Sequence, residues 1–307
     1  MIKKLGSFVI LVFISCSQVK SPDSRDPTKE RYLKAIQTIK WSSGIENIEA
    51  LLRPGIKVVQ DQSIDKQGLG VSRFGGTPDL PEGLNWPTFE DNPMVFLAQI
   101  NLSEIEKLDL DKELPNSGMI YFFVHFNKPE NQFGTYYEFI FDKSEYKVIY
   151  SESQKLENVP FPQALLTEYR FVPQRMSFET IYTFPSYETL EVRSMSPTDQ
   201  EKAYNLNYSF GNQEIQQILG YTSPVQTDVT FDWAFSYLNY QTYDLDELDR
   251  AKIDSVRPTF INLLQFTLAN PQTGFNKIGS STGYFGITKQ DLQNKKFENT
   301  ILVFQDT

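Results

Sequence analysis

The chain has 307 residues, and its formal net charge is −10 at neutral pH. This acidic balance argues strongly against a nucleic-acid partner, because proteins that bind phosphates need a basic surface. It favours solubility or attraction to a basic partner instead. Apolar residues make up 40% of the sequence, which suffices for the core of one large domain or two small ones.

The N-terminus has the layout of a secretory signal peptide. Two lysines precede the apolar run 5–14, which is too short to span a bilayer as a helix, and the only cysteine, Cys16, follows it. Segment 13–16 resembles a bacterial lipoprotein signal, although Phe13 stands where leucine is usual. In lipoproteins this cysteine is acylated, for example with palmitate, and becomes the new N-terminus. We therefore expect residues 1–15 to be a signal peptide and Cys16 to be the lipid attachment site.

This interpretation predicts a protein of the cell envelope that is anchored to a membrane after export. The alternative is a signal peptide that is cleaved elsewhere and leaves Cys16 without a role. A single cysteine cannot form an intramolecular disulfide, so the cysteine content favours the anchor. Stable anchoring needs more than one acyl chain, and a multiply acylated N-terminus meets that condition.

The anchor is expected to lead through a flexible tether into two helices. Residues 16–28 are mainly Ser, Pro, Asp and Lys, which bury too little apolar surface to fold. The first helix should be capped by Asp26, with Pro27 in its first turn. The second should begin near residue 42 and stop at the Pro54-Gly55 pair.

Strands are predicted to dominate the rest of the chain. Residues 56–190 favour strands, with a dense apolar run at 119–126 and a hairpin built from 136–141 and 146–150. Further strands are expected at 260–268 and 300–305, and short helices at 103–108, 197–206, 211–219 and 244–254, with a last one capped by Thr288 and Asp291. Gly220 should lie just past the third of these helices. The pattern predicts an α+β fold, strand-rich with mainly antiparallel sheets, behind a helical N-terminal segment.

A weak repeat indicates two related halves. Segment 96–102 (FLAQINL) resembles segment 262–268 (NLLQFTL), and each places one glutamine, Gln99 or Gln265, inside an apolar strand. A Gly/Pro turn precedes each copy, and a glycine-aromatic block follows it. We expect a single domain over 29–307 with halves at about 56–190 and 191–307. The alternative is a chance recurrence, because many β-rich chains contain a glutamine between apolar residues.

The residue inventory offers little for catalysis or metal binding. His125 is the sole histidine and lies in an apolar run, without the Gly-x-Ser-x-Gly turn of many hydrolases. Zinc sites usually use several Cys or His ligands, which this chain lacks. The acidic run 244–249 lacks the glycine and glutamate positions of a calcium loop and instead suits a helix start. We therefore predict no metal, no cofactor and no catalysis.

Four polar residues among apolar or turn segments are the candidate binding residues: Arg73, Gln99, Gln226 and Gln265. A buried amide without a partner is unfavourable by about 1–3 kcal/mol, so each of these side chains needs hydrogen bonds. One interpretation is that they tie strands to neighbouring loops. The functional alternative is that they line a cleft shared by the two halves and bind a peptide or a partner loop.

The order of several sequence blocks resembles the YwqG-like family of bacterial proteins, a domain of unknown function. The resemblance covers about 45–305 and depends on these blocks: SRFGGTPDLP at 72–81, WP at 86–87, FLAQINL at 96–102, LP at 114–115, GMIYFF at 118–123, LGY at 219–221 with Pro224 and Gln226, LLQ at 263–265, GYFGI at 283–287 and DL at 291–292. The chain departs from the family in one turn, 279–283, which lacks the acidic residue that members often carry there.

This resemblance implies an α+β domain with no established catalysis, and some relatives look like immunity-type proteins associated with bacterial toxins. With the N-terminal signal, it predicts a lipid-anchored cell-envelope binding protein that recognises a protein or peptide partner. One alternative is a hydrolase that acts on an envelope polymer through paired carboxylates. The other is a structural envelope protein without a discrete ligand.

Overall fold

The structure is a computed structural model that describes residues 26–61, 68–126, 141–210 and 216–306. The predicted signal peptide, Cys16 and the tether up to residue 25 lie outside these ranges, as does the hairpin segment 136–140.

The helices of the described residues alternate irregularly with the strands. They are α1 (Pro27–Thr38), α2 (Ile45–Glu49), α3 (Leu102–Ile105), α4 (Leu190–Arg193), α5 (Pro197–Phe210), α6 (Val229–Tyr237), α7 (Glu247–Val256) and α8 (Lys289–Gln293). The strands are β1 (Arg53–Asp61), β2 (Arg73–Phe74), β3 (Asp79–Pro81), β4 (Thr88–Phe89), β5 (Asn92–Pro93), β6 (Val95–Asn101), β7 (Met119–Val124), β8 (Tyr146–Ser151), β9 (Leu156–Asn158), β10 (Gln174–Thr183), β11 (Gln217–Leu219), β12 (Phe260–Thr267), β13 (Thr282–Thr288) and β14 (Ile301–Gln305). The strand-rich α+β prediction is confirmed.

One antiparallel sheet of ten strands forms the body of the domain, with β1 and β10 as central neighbours. Outward from β10 the order is β2, β6, β7 and β8, and outward from β1 it is β11, β12, β13 and β14. On both sides of the central pair, the strands therefore follow one another outward in chain order. The predicted boundaries of the halves differ from this arrangement, because β1 overlaps the start of the predicted first half, at about residue 56, yet it pairs with β10 on one side and with β11 on the other.

The sheet is curved, so that strands from the two ends of the strand order face each other across the main core. Phe122 on β7 and Phe285 on β13 are far apart in the strand order, yet their ring centroids are 4.8 Å apart. Near the outer edges, the hydroxyl of Tyr146 on β8 donates to the carbonyl oxygen of Thr300, just before β14, at 2.9 Å. This curvature brings loops of one half against strands of the other.

Most strand predictions and several helix predictions are confirmed, but three details are wrong. Helix α1 begins at Pro27, inside the stretch that was assigned to the tether, because Asp26 accepts hydrogen bonds from the Thr28 and Lys29 amides. Pro54 and Gly55 lie in β1 rather than ending a helix. Because Pro54 is the second residue of β1, its missing N–H group does not interrupt the hydrogen bonds of the later strand residues.

The third wrong detail is the helix predicted over 211–219. Residues 217–219 form β11, and the earlier part of that segment lies outside the described residues. Pairing with β1 and β12 determines the extended conformation here, so Gly220 belongs to a turn after a strand. Helix α6 had no counterpart in the predictions, because its aromatic and β-branched residues also suit a strand.

Candidate functional site

Arg73 and Asp79 form a buried ion pair at the short strand β2. The Arg73 Nη1 donates to Asp79 Oδ2 at 2.7 Å, and both side chains are at most 3% exposed. Arg73 also donates to the carbonyl oxygen of Thr77, which closes the turn after β2. Burial works to raise the pKa of Asp79, but hydrogen bonds from Arg73 and Asn158 outweigh it and hold this pKa below its usual range.

Gln99 joins this ion pair from the neighbouring strand β6. Its side-chain oxygen accepts from the Asp79 amide at 2.8 Å, and its nitrogen donates to the Val71 carbonyl and to Asp79 Oδ2. The hydroxyl of Tyr121, which lies opposite Gln99 on β7, donates to the Asp79 carbonyl at 2.6 Å, and burial raises the pKa of that tyrosine. The strands and the turn are thus held together by one hydrogen-bond network.

The other half contains the same network with neutral side chains. Gln265 on β12 accepts from the Ser223 amide at 2.9 Å, and the Tyr284 hydroxyl donates to the Ser223 carbonyl at 3.0 Å. Tyr284 lies opposite Gln265, as Tyr121 lies opposite Gln99. Gln217 takes the place of Arg73 and pairs with Gln265 across the strands. Its side-chain nitrogen donates to the carbonyl oxygen of Tyr221, four residues later in the chain.

The turns that carry these networks share an unusual backbone conformation. Gly75 and Gly76 have φ values of 60° and 70°, and Leu219 and Gly220 have values of 61° and 66°. Left-handed conformations are unfavourable for residues with a Cβ atom, so Leu219 is held in a strained conformation that glycine adopts freely. The recurrence of this turn supports an equivalence between the two halves.

These contacts determine how the predicted binding residues are placed. Arg73, Gln99 and Gln265 are at most 3% exposed, and the hydrogen bonds described above connect them to strands and turns. Gln226 lies apart from them on the surface, where its side chain donates to the Asp306 carbonyl at 2.9 Å. The geometry favours the interpretation in which these side chains tie strands to loops over one in which they line a cleft.

A cleft does lie between the halves, but other residues form it. Its volume is about 250 Å³, and one wall is the 108–113 loop that follows α3 in the first half. The opposite wall comes from β1, β11, β12 and the start of α8: Arg53, Pro54, Gly55, Leu219, Gly220, Pro258, Phe260, Ile261, Asn262 and Lys289. Sequence reasoning missed this site, although Asn262 begins the repeated segment that drew attention to Gln265.

The polar groups of the cleft are unevenly satisfied. Asn262 is 3% exposed, and its nitrogen donates to the Leu219 carbonyl at 3.3 Å, whereas its side-chain oxygen has no hydrogen-bond partner. Asp109 accepts from the amides of Glu113 and Leu114, and burial raises its pKa. Lys289 pairs with Glu113 across the cleft at 2.6 Å. The Asn262 oxygen has almost no solvent-accessible surface, so it is an unsatisfied acceptor inside the protein rather than a group that the cleft offers to a ligand.

The remaining chemical candidates have structural surroundings. The ring of His125 lies 4.7 Å from that of Phe89, and the acidic run 244–249 provides Asp246 as the N-cap of α7. Within the described ranges, no three His, Cys, Asp or Glu side chains are grouped so that they could hold a metal ion. No helix in the same ranges combines the length and apolarity needed to cross a bilayer.

One carboxyl has a pKa near neutrality. Burial raises the pKa of Asp232 on α6 to about 7, and the neighbouring Asp228 adds to this, while hydrogen bonds with Gln305 and Tyr243 oppose it. Asp228 itself is held by Arg257 in a buried ion pair of 2.6 Å. Two carboxylates thus lie close together, but one of them is already neutralised by an arginine.

Comparison with known families places most of this architecture in one domain. A family model described as a domain of unknown function (DUF1963) matches residues 72–305. The chain belongs to the DUF1963 family. No curated protein matches the sequence.

The DUF1963 match contains the side chains of both hydrogen-bond networks and all the strands from β2 to β14. It excludes β1, which lies at the centre of the sheet and contributes Arg53, Pro54 and Gly55 to the cleft. The cleft is therefore built jointly by the DUF1963 domain and by the segment that precedes it.

Proposed function

We propose that this chain is a lipid-anchored cell-envelope binding protein that recognises a protein or peptide partner at the cleft between its halves, without catalysing a reaction. One observation carries the proposal: a cleft of about 250 Å³ lies between the 108–113 loop and the strands β1, β11 and β12, and charged side chains such as Asp111, Arg53 and Lys289 line it together with apolar ones. A concave site with apolar walls and a few charged or polar groups is the usual form of a binding site.

The size of the cleft supports a partner that inserts one side chain or one chain end. Sites for small molecules commonly enclose about 300–1,000 Å³, and this cleft, at about 250 Å³, is smaller. The finer resemblance to the YwqG-like family supports the same class of function, because some of its members look like immunity-type binding proteins.

The anchor part of the proposal predicts a clear fractionation result. Wild-type protein produced in its own cells should sediment with membranes, because a multiply acylated Cys16 binds lipid stably. The Cys16→Ala variant should be released or stay unprocessed. Mass spectrometry of the mature N-terminus is the direct measurement, and an unmodified terminus away from Cys16 would contradict the proposal.

The binding part predicts a position-dependent crosslink. A photo-crosslinking amino acid at Leu110, in the cleft wall, should yield a discrete product with a partner in the native envelope. The same amino acid at Leu248, which is 72% exposed on α7, provides the matched control. Loss of the product at Leu110, or the same product from both positions, would speak against the cleft as the recognition site.

The alternative functions receive less support. A hydrolase would need two carboxyl groups with different roles, and Asp232, with its pKa of about 7, could serve as an acid. Its neighbour Asp228 is committed to Arg257 and to the N-cap of α6, so Asp228 is not free to act as the second carboxyl group. A purely structural role would leave the cleft without a function.

A further inference from the structure

We infer that an exposed tyrosine patch, made of Tyr187, Tyr204 and Tyr208, rests on the phospholipid surface to which the chain is anchored. This contact is distinct from the proposed binding cleft, but it depends on the proposed anchor at Cys16. It follows from the exposure of the three rings, from their position beside the start of the folded chain, and from the short segment between that start and Cys16.

The tyrosine patch is aromatic surface that the protein leaves uncovered. The rings of Tyr204 and Tyr208 on α5 are nearly parallel with centroids 6.4 Å apart, and Tyr187 meets Tyr204 edge-on at 6.0 Å. Tyr208 is 79% exposed, Tyr204 is 52% exposed and Tyr187 is 42% exposed. Isolated exposed apolar residues are ordinary, whereas contiguous ones mark contacts with a partner or a membrane.

The helices α1 and α5 run antiparallel, which places the patch near the start of the folded chain. At one end, Lys202 on α5 donates to the carbonyl oxygen of Lys40, just past the end of α1, at 2.6 Å. At the other end, the rings of Phe210 and Tyr32 stack with a centroid distance of 4.0 Å. Tyr208 lies in the last turn of α5, two residues before Phe210. It is therefore at the end of this helix pair where α1 begins.

The patch also points away from the core of the helical segment. Tyr204 and Tyr208 are four residues apart and share one face of α5. Ala203 and Leu206 lie on the other face and are buried with Tyr32 of α1 in a small core. The exposed face can therefore meet a flat surface without disturbing the packing of the helices.

The segment between Cys16 and the fold is short enough to hold this face at a membrane. Asp26, the cap of α1, follows Cys16 by ten residues, which span at most about 33–36 Å when fully extended. The six residues from Asp26 to Tyr32 add about 9 Å of helix. An acylated Cys16 thus keeps the tyrosine patch close to lipid, and even a weak contact is populated at the high local concentration that such a link creates.

The chemistry of the patch suits a phospholipid surface. A tyrosine ring is apolar and its hydroxyl is polar, which is why this residue is enriched where bilayers meet water. The net charge of −10 argues against a contact that relies on basic residues and anionic lipids, and the patch needs neither. A polysaccharide could also stack on these rings, but lipid is the surface that the anchor would hold beside them.

The inference can be tested on the mature chain, residues 16–307, linked to phosphatidylcholine vesicles. Cys16 is the only cysteine, so a maleimide-headgroup lipid attaches the protein there without acylation by cells. A Tyr208→Trp variant reports lipid contact, because bromine atoms on the acyl chains quench the emission of a nearby indole. The signal of the parent protein is subtracted, and its tryptophans, Trp41, Trp86 and Trp233, are buried.

The matched control is Val172→Trp at the opposite end of β10. Val172 is 56% exposed and lies just before this strand, whereas α1 contacts the strand's other end, where the Tyr182 amide donates to the Thr28 hydroxyl oxygen at 2.9 Å. The ten residues from Val172 to Tyr182 span about 33 Å of extended chain. The control indole is thus linked to the same vesicle but is remote from the tyrosine patch.

We expect brominated vesicles to quench the Tyr208→Trp signal several times more strongly than the Val172→Trp signal. Adding Tyr187→Ser and Tyr204→Ser to the Tyr208→Trp variant should reduce this quenching, because the rest of the patch is lost. Equal quenching at positions 208 and 172, or quenching that the serine substitutions leave unchanged, would overturn the inference. A Tyr208→Trp signal that responds to soluble envelope glycan but not to vesicles would also overturn it and would identify a polysaccharide as the occupant.

The outcomes separate this inference from the proposed anchor and cleft. The vesicle experiment supplies its own lipid link, so a negative result there would leave the acylation of Cys16 and the Leu110 crosslink unaffected. A mature N-terminus without acyl chains, found by mass spectrometry, would instead overturn both the anchor and this membrane contact in the native protein.

Discussion

Replacing Arg73 with glutamine should lower the free energy of unfolding by about 3–5 kcal/mol, because the variant leaves the Asp79 carboxylate buried without its cation. Asp79 is 1% exposed and cannot gain water without opening the turn after β2. The same substitution at an exposed arginine, Arg193, should change stability by less than about 1 kcal/mol. Urea unfolding of both variants measures the difference.

The neutral network of the second half suggests a second substitution that should restore part of the stability lost in Arg73→Gln. Arg73→Gln combined with Asp79→Ser imports the residue types of Gln217 and Ser223, so no charge stays buried. The double variant should be more stable than Arg73→Gln alone, with a coupling free energy of about 1–3 kcal/mol. If the effects of the two substitutions on the free energy of unfolding were fully additive, the ion pair would contribute no coupling free energy.

The ion pair of Arg73 and Asp79 also predicts how the free energy of unfolding depends on pH. The pKa of Asp79 is depressed in the folded state, so its contribution to stability is present above the unfolded value of about 3.9 and is lost as the pH falls through the folded value. Wild-type stability should therefore fall in this acid range. The Arg73→Gln/Asp79→Ser double variant should lose less stability over the same range.

Replacing Trp233 with alanine should lower the free energy of unfolding by about 3–5 kcal/mol, the usual range for a large buried aromatic. Trp233 on α6 is 1% exposed and packs against the backbone of β13 and the ring of Phe260, at a centroid distance of 5.7 Å. Its indole nitrogen also donates to the Tyr284 carbonyl at 3.3 Å. Thermal or urea unfolding provides the measurement.

Gly286 makes this contact testable from the other side. A Cβ atom at Gly286 would lie 2.2 Å from Trp233 Cδ2, so Gly286→Ala alone should be destabilising by about 1–3 kcal/mol or more. In the Trp233→Ala background the added methyl should instead be tolerated, because it enters the space that the indole has left. Gly68→Ala is the control, since no atom lies within 4 Å of the added carbon. An equal loss from Gly286→Ala in both backgrounds would contradict this packing.

The features that the sequence determined by itself depend on neighbours in the chain. The cap of α1 needs only Asp26 and the amides of the two residues that follow Pro27. The last helix needs Thr288, whose hydroxyl accepts from the Asp291 amide at 3.1 Å. Dense apolar runs likewise identify β7 and β12 without a partner strand, because both faces of these strands are buried and their residues are mostly apolar.

The repeat was visible in the sequence, but its meaning was not. Gln99 and Gln265 could have faced a ligand or a loop, and only the register that places Tyr121 and Tyr284 opposite them makes the loop contacts clear. Residues 217–219 were assigned to the end of a helix, and Gly220 fits the position just past a helix C-terminus. Pairing with strands more than 40 residues away in the chain, such as Gln217 with Gln265, overrides such a preference.

The cleft was decided by the tertiary structure alone. Asn262 lies in a strand of the second half, Asp111 in a loop of the first, and Arg53 at the start of β1, which pairs with strands of both. No spacing in the sequence connects them, since they meet only because the ten-stranded sheet curves and β1 joins its centre. Short-range signals determine helices, strands and caps, whereas a site built from three distant segments depends on long-range packing that no local pattern encodes.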